Sequence, residues 1–199
     1  MDKRIVLDLE TKRTFDEVGG RDHLDQLQIT VVGVYDYSAQ EYRTYEEREI
    51  GALQNQLIDA SLIVGFNHVS FDFPVLQPYL SIDLKKLPAF DIMLDLQGKL
   101  GHRIGLDSVA QATLGAGKTG HGLDAIRFFR EGKIKELKEY CLNDVKVTKE
   151  VFDYGIEKGK VHFLSKIGNQ KKDVEVDWKK YKKPETPAGT KLEAQYKLF

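Results

Sequence analysis

A chain of 199 residues, 41% hydrophobic and 31% charged, suffices for one well-cored domain with an appendage and is short for two. Its longest apolar runs, LIVGF and ITVVGVY, fall far below the roughly 20 residues of a membrane span. The net charge of -1 hides an acidic body, with 26 acidic against 20 basic side chains over residues 1–159, and a basic end, with 5 against 10 over residues 160–199.

No basic-then-apolar segment opens the chain, and the single Cys141 cannot form an intrachain disulfide. A cytoplasmic protein with no membrane partner is therefore expected. An acidic body needs help to hold a polyanion, from divalent cations or from the basic end. The alternative for KKDVEVDWKKYKKPE is a merely solvated surface.

The first predicted element is a strand from Arg4 to Glu10, followed by a polar loop containing Gly19-Gly20. ITVVGVYDY and EYRTY read as two further strands joined by Ser38-Ala39-Gln40. Ile50, Leu53, Leu57 and Ile58 fall at helical spacing and predict a helix from about Glu47 to Asp59. LIVGFNH has the continuous apolar character of a buried central strand. Ser70 is expected to cap a helix from about Phe71, with Pro74 in its first turn.

PAFDIML suggests a short strand leading into a helix, and LDSVAQATLG a helix closed by Gly115. GAGKTGHG reads as a loop. The pattern is helical from Leu123, interrupted near Gly132, and continues as a longer helix from about Lys135 to Glu157. VHFLSKIG and KDVEVDW suggest a terminal hairpin, and Pro184, Pro187 and Gly189 mark a flexible tail. This order predicts an α/β fold with a mixed central sheet flanked by helices. Its expected divisions are a body over 1–159, a basic hairpin extension over 160–183 and the tail over 184–199.

Four carboxylates and a tyrosine stand out in this layout. Asp8 and Glu10 are two apart in IVLDLET, so on a strand they share one face while Leu7 and Leu9 take the other. Asp72 opens the helix after GFNHVSF. Tyr140 and Asp144 are four apart in the long late helix and stack on one face. Phosphodiester hydrolysis needs an activated water and charge compensation at the leaving oxygen, which two divalent ions about 3.5–4 Å apart supply. Asp and Glu without a partnering His or Cys cluster point to Mg²⁺ or Mn²⁺ and disfavour zinc. Taken singly, each acid has a plain alternative as a strand-end, helix-start or solvated helix residue.

Together these residues resemble the DnaQ-like or DEDD 3′-5′ exonucleases, a family with a ribonuclease H-like fold. The resemblance rests on Asp8-Leu9-Glu10, on Asn67-His68-Val69-Ser70-Phe71-Asp72 and on Tyr140-x-x-x-Asp144, in the family's order over roughly residues 4–158. The histidine variant of the family would place His at position 139, which is Glu. Tyr140 fits the tyrosine, or DEDDy, variant. GHGLDAIRFFREGKIKELKEYCLNDV and VEVDW further resemble the stand-alone YprB-type ribonuclease H-like domains.

The resemblance implies a two-metal 3′-5′ exonuclease releasing nucleoside monophosphates from DNA or RNA 3′ ends. Asp8, Glu10 and Asp144 would hold the cation that activates water, Asp8 and Asp72 the second, and Tyr140 would position the water. A structure-specific endonuclease on the same fold and a clamp-associated nucleic-acid-binding module remain as alternatives.

Other features carry less. Asn67 either hydrogen-bonds the nucleotide or fixes the turn before Asp72, and Lys118 or His121 can touch a substrate phosphate from their loop. Phe66, Phe71 and Phe73 suit a core, with Phe71 the candidate wedge against a terminal base. Asp91 and Asp95 read as structural or solvent-facing, and His23, His68, His102 and His162 lack ligand spacing. Gly115-Ala116-Gly117-Lys118-Thr119 ends like a P-loop, but Ala112 stands where that motif needs its first Gly. Gln195-Tyr196-Lys197-Leu198-Phe199 resembles a bacterial sliding-clamp-binding pentapeptide carried by Gln195, Leu198 and Phe199. The alternative is a tail folded back on the domain.

Overall fold

The computed structural model describes residues 2–115, 122–165 and 168–181. Lys118, His121 and the tail with Gln195, Leu198 and Phe199 lie outside those residues. Strand β1 (Arg4–Thr11) is the middle of a five-stranded sheet. On one side it pairs antiparallel with β2 (Ile29–Asp36), which pairs antiparallel with β3 (Glu41–Glu46). On the other it runs parallel to β4 (Leu62–Gly65), and β4 parallel to β5 (Ala89–Asp91). The result is the mixed α/β sheet that the element order predicts.

The two-residue period of β1 sorts its side chains between two cores. Ile5, Leu7 and Leu9 join Ile50, Leu53 and Leu57 of α1 (Ile50–Asp59) and Phe73, Val75 and Leu76 of α2 (Asp72–Leu76). Val6 joins the opposite core, beneath α3 (Ile92–Leu100), α4 (Leu106–Leu114) and α6 (Ile134–Lys158). Helix α5 (Gly122–Arg130) packs Ala125 with Val31, Leu137, Tyr140 and Cys141. The helix expected from Glu47 begins at Ile50, because residues 47–49 form a separate 3₁₀ turn.

The C-terminal hairpin forms as expected, with β6 (Lys160–Leu164) antiparallel to β7 (Lys171–Glu175). Its Val161, Phe163 and Val174 share the core of Val6, and Trp178 beyond it is 1% exposed. Trp178 lies flat against α6 at Gly155, where a Cβ would come within 2.0 Å of the indole. Asp95 accepts the indole N–H at 2.8 Å, which gives that carboxylate a structural task. Among the described residues no helix is long and apolar enough to cross a membrane.

Candidate active site

Asp8 and Glu10 continue the Val6 face of β1, so they point toward the side covered by α6. The parallel ladder to β4 ends at Val6–Val64, two residues before Asp8. Beyond that point the β1 edge has backbone groups to satisfy. Asp72 fills this gap: its Oδ1 accepts the Leu9 N–H at 3.0 Å, bringing a third carboxylate between Asp8 and Glu10. On the other edge the β1–β2 register shifts between Glu10 and Thr11, a bulge of the kind that recurs beside functional sites.

The fourth carboxylate arrives on α6, and Gly33 is what lets it come close. Gly33 lies opposite Asp8 in the ladder. A Cβ there would stand 2.9 Å from both Cys141 Sγ and Val145 Cγ2. The helix therefore rests almost on the strand backbone, with Tyr140, Cys141 and Asp144 on its buried face. Cys141 Sγ donates to the Asp8 carbonyl at 3.7 Å. Burial, reinforced by Asp8, Glu10 and Asp144, pushes this thiol well above its ordinary pKa and keeps it neutral.

Asp72 is delivered by a turn fixed from below by Asp91. The buried Asp91 carboxylate accepts the N–H groups of Asn67 and Val69 at 2.8 and 3.0 Å, and those of Met93 and Leu94 at the start of α3. Asn67 takes a left-handed φ of 69°, its carbonyl receives Ser70 and Phe71, and its Oδ1 accepts from Arg103 at 2.6 Å. His68 is wholly buried beside Asp91, 3.6 Å from it, and burial lowers its pKa to about 4. Ser70 makes no side-chain cap, contrary to its expected role. The Phe73 N–H instead bonds the His68 carbonyl, and Phe71 occupies the cap position.

Asp8, Glu10, Asp72 and Asp144 open together on a cleft of about 380 Å³ whose apolar wall includes Phe15, Phe66 and Phe71. Phe73 is buried in the core, while Phe15 meets Phe71 edge to face at 5.9 Å. Tyr140 lies one helical turn from Asp144, 6% exposed, with its ring against Phe128. Asn67 and Tyr140 are both absent from the cleft lining. Phe15, Gly33 and Asp91 were not legible as site residues in the sequence, although a glycine inside a strand pattern signals close backbone approach.

The donor set suits hard divalent cations. Asp8 and Glu10 each offer an oxygen within 4.8 Å of one another and of Cys141 Sγ, and the carboxylate oxygens are the hard donors of this set. Burial first, then the charge of Asp91, raises the Asp72 pKa to about 7 despite hydrogen bonds from its own and the Leu9 N–H. A cation in the cleft would relieve that penalty as a proton does.

A family model described as the RNase H superfamily matches residues 7–156. No curated protein matches the chain. Among 66 matching chains of solved structures is Trypanosoma brucei RNase D, with a TM-score of 0.55 and 16% sequence identity. The match covers 77% of this chain and 57% of that one, little more than half the relative's length. At this identity the likeness concerns the fold alone.

Proposed function

This chain belongs to the RNase H superfamily, and we propose that it is a metal-dependent 3′-5′ exonuclease of the DEDDy type, releasing nucleoside monophosphates from DNA or RNA. The observation that carries this reading is the convergence of Asp8, Glu10, Asp72 and Asp144 on one cleft from three separate elements. Support also comes from the bond between Asp72 Oδ1 and the Leu9 N–H, which ties the second carboxylate element to the first.

In this reading Asp8, Glu10 and Asp144 hold one cation, and Asp8 with Asp72 the other. Two bound Mg²⁺ or Mn²⁺ ions supply Lewis acidity to the attacking water and the leaving oxygen. Tyr140 orients the water through its hydroxyl. Phe71, backed by Phe15, receives the terminal base, because an aromatic face stacks on any base without reading its edge. Leu9, flanked by the acids, keeps its side chain in the opposite core and holds the strand in place.

The test uses matched DNA and RNA strands labelled at either end, together with a closed single-stranded circle. Mononucleotides leaving the 3′ end only with Mg²⁺ or Mn²⁺, and an uncut circle, are expected. Cutting of the circle would replace the exonuclease by an endonuclease, and no hydrolysis with either metal would overturn the nuclease reading.

A further inference from the structure

The chain contains eight arginines, all within the described residues. Five pair with carboxylates of the fold, as Arg43 does with Glu41 and Arg130 with Glu17. Arg13, Arg21 and Arg103 pair with no carboxylate among the described residues, and all three are exposed. Two of them reach the cleft, and the third is tied to the turn that carries two of its residues. Arg13 is part of the cleft lining. Arg21 lies over the ring of Phe15, 4.2 Å from its centroid, and Phe15 belongs to the cleft wall. Arg103 holds Asn67 at the start of the turn that carries Phe71 and Asp72.

A second groove, of about 340 Å³, begins at Arg103. His102, Ser108, Gln111, Ser165 and Asn169 contribute to it, and no Asp or Glu appears in its described lining. In an acidic body this described lining is free of acids. The neighbouring Lys12, by contrast, is held by Glu47 at 2.6 Å.

We infer that Arg13, Arg21 and Arg103 grip the phosphates of a single nucleic-acid strand drawn across the carboxylates, with Arg103 leading it into the second groove. The inference rests on the nuclease reading and names the form of its substrate. A guanidinium binds phosphate through paired N–H donors and keeps its charge at any working pH. The Phe15 ring orients Arg21 without neutralising it. Four clustered carboxylates repel a polyanion, so cations at the rim complement whatever metal the centre holds. A cleft of about 380 Å³ lies near the lower end of ligand-sized cavities and takes one nucleotide in preference to a base pair.

Fluorescence anisotropy tests this, with short oligothymidylate and oligouridylate single strands and a blunt duplex, in CaCl₂ over a salt series. Arg13→Gln, Arg21→Gln and Arg103→Gln should each weaken single-strand binding about five-fold and flatten the slope of log Kd against log salt by about 0.7. Arg43→Gln, which loses a paired arginine on β3, should match the parent, and the duplex should bind more weakly than either strand. Unchanged affinity and slope in the three rim variants, an equal loss in Arg43→Gln, or tighter duplex binding each overturn the inference. Hydrolysis by the parent in MgCl₂ or MnCl₂ is scored in parallel. Hydrolysis with rim-independent binding removes the rim alone, whereas rim-dependent binding without hydrolysis removes the nuclease reading alone.

Discussion

Replacing Asp72 with Asn separates the cost of its buried charge from every other contribution to stability. The folded protein raises this carboxyl from an ordinary 3.8 to about 7, chiefly by burial. That displacement corresponds to roughly 4 kcal/mol of folded-state preference for the neutral acid. Between the two values the folded chain binds a proton that the unfolded chain has released. The contribution is therefore fully present below about pH 4 and is lost as pH rises through about 7. In Asp72→Asn the side chain is neutral at every pH and its Oδ1 can still accept the Leu9 N–H. Thermal melts in EDTA should show parent minus variant Tm falling between pH 5 and 8 by roughly 5–10 °C, since only the two pH units from 5 to 7 fall within this window and each kcal/mol is worth about 2–4 °C for a chain of this size. Saturating Mn²⁺ should restore the parent at pH 8 and raise the variant less. Parallel Tm curves for the two proteins across this range would refute the reasoning.

Three further outcomes follow from the packing. Gly33→Ala places a methyl 2.9 Å from Cys141 Sγ and Val145 Cγ2; it should cost about 1–3 kcal/mol and weaken Mn²⁺ binding by calorimetry, with partial recovery in Gly33→Ala/Cys141→Ala. Gly155→Ala collides with Trp178 at 2.0 Å, so the sole tryptophan's emission should shift to the red and Tm should drop, again by about 1–3 kcal/mol. Tyr140→Phe should lower kcat about 10–100-fold with KM and Tm nearly unchanged; an equal loss through KM would argue against a water-positioning hydroxyl.

The parts of this molecule legible in its sequence are those governed by local periodicity. Alternation in RIVLDLET places Asp8 and Glu10 on one face of β1, and helical spacing places Tyr140 and Asp144 on one face of α6. The meeting of the two faces is not local. It depends on Gly33 admitting α6 to the sheet and on a β4 short enough to leave the Leu9 N–H for Asp72. Asp91 looked unremarkable because its task is to collect backbone N–H groups from two loops, a demand that only the fold creates. The hairpin read as a basic arm from its lysines, yet Val161, Phe163, Val174 and Trp178 pack into the core. The arginine rim was hidden for a similar reason, since ion pairing is decided by tertiary neighbours.

Hydrolysis of an end-labelled single strand by the parent protein and Asp8→Ala, each with Mg²⁺ or Mn²⁺, tests the central claim most directly. The account predicts metal-dependent mononucleotide release by the parent and none by a folded Asp8→Ala. Equal release by both proteins, or none by the parent with either metal, would contradict it.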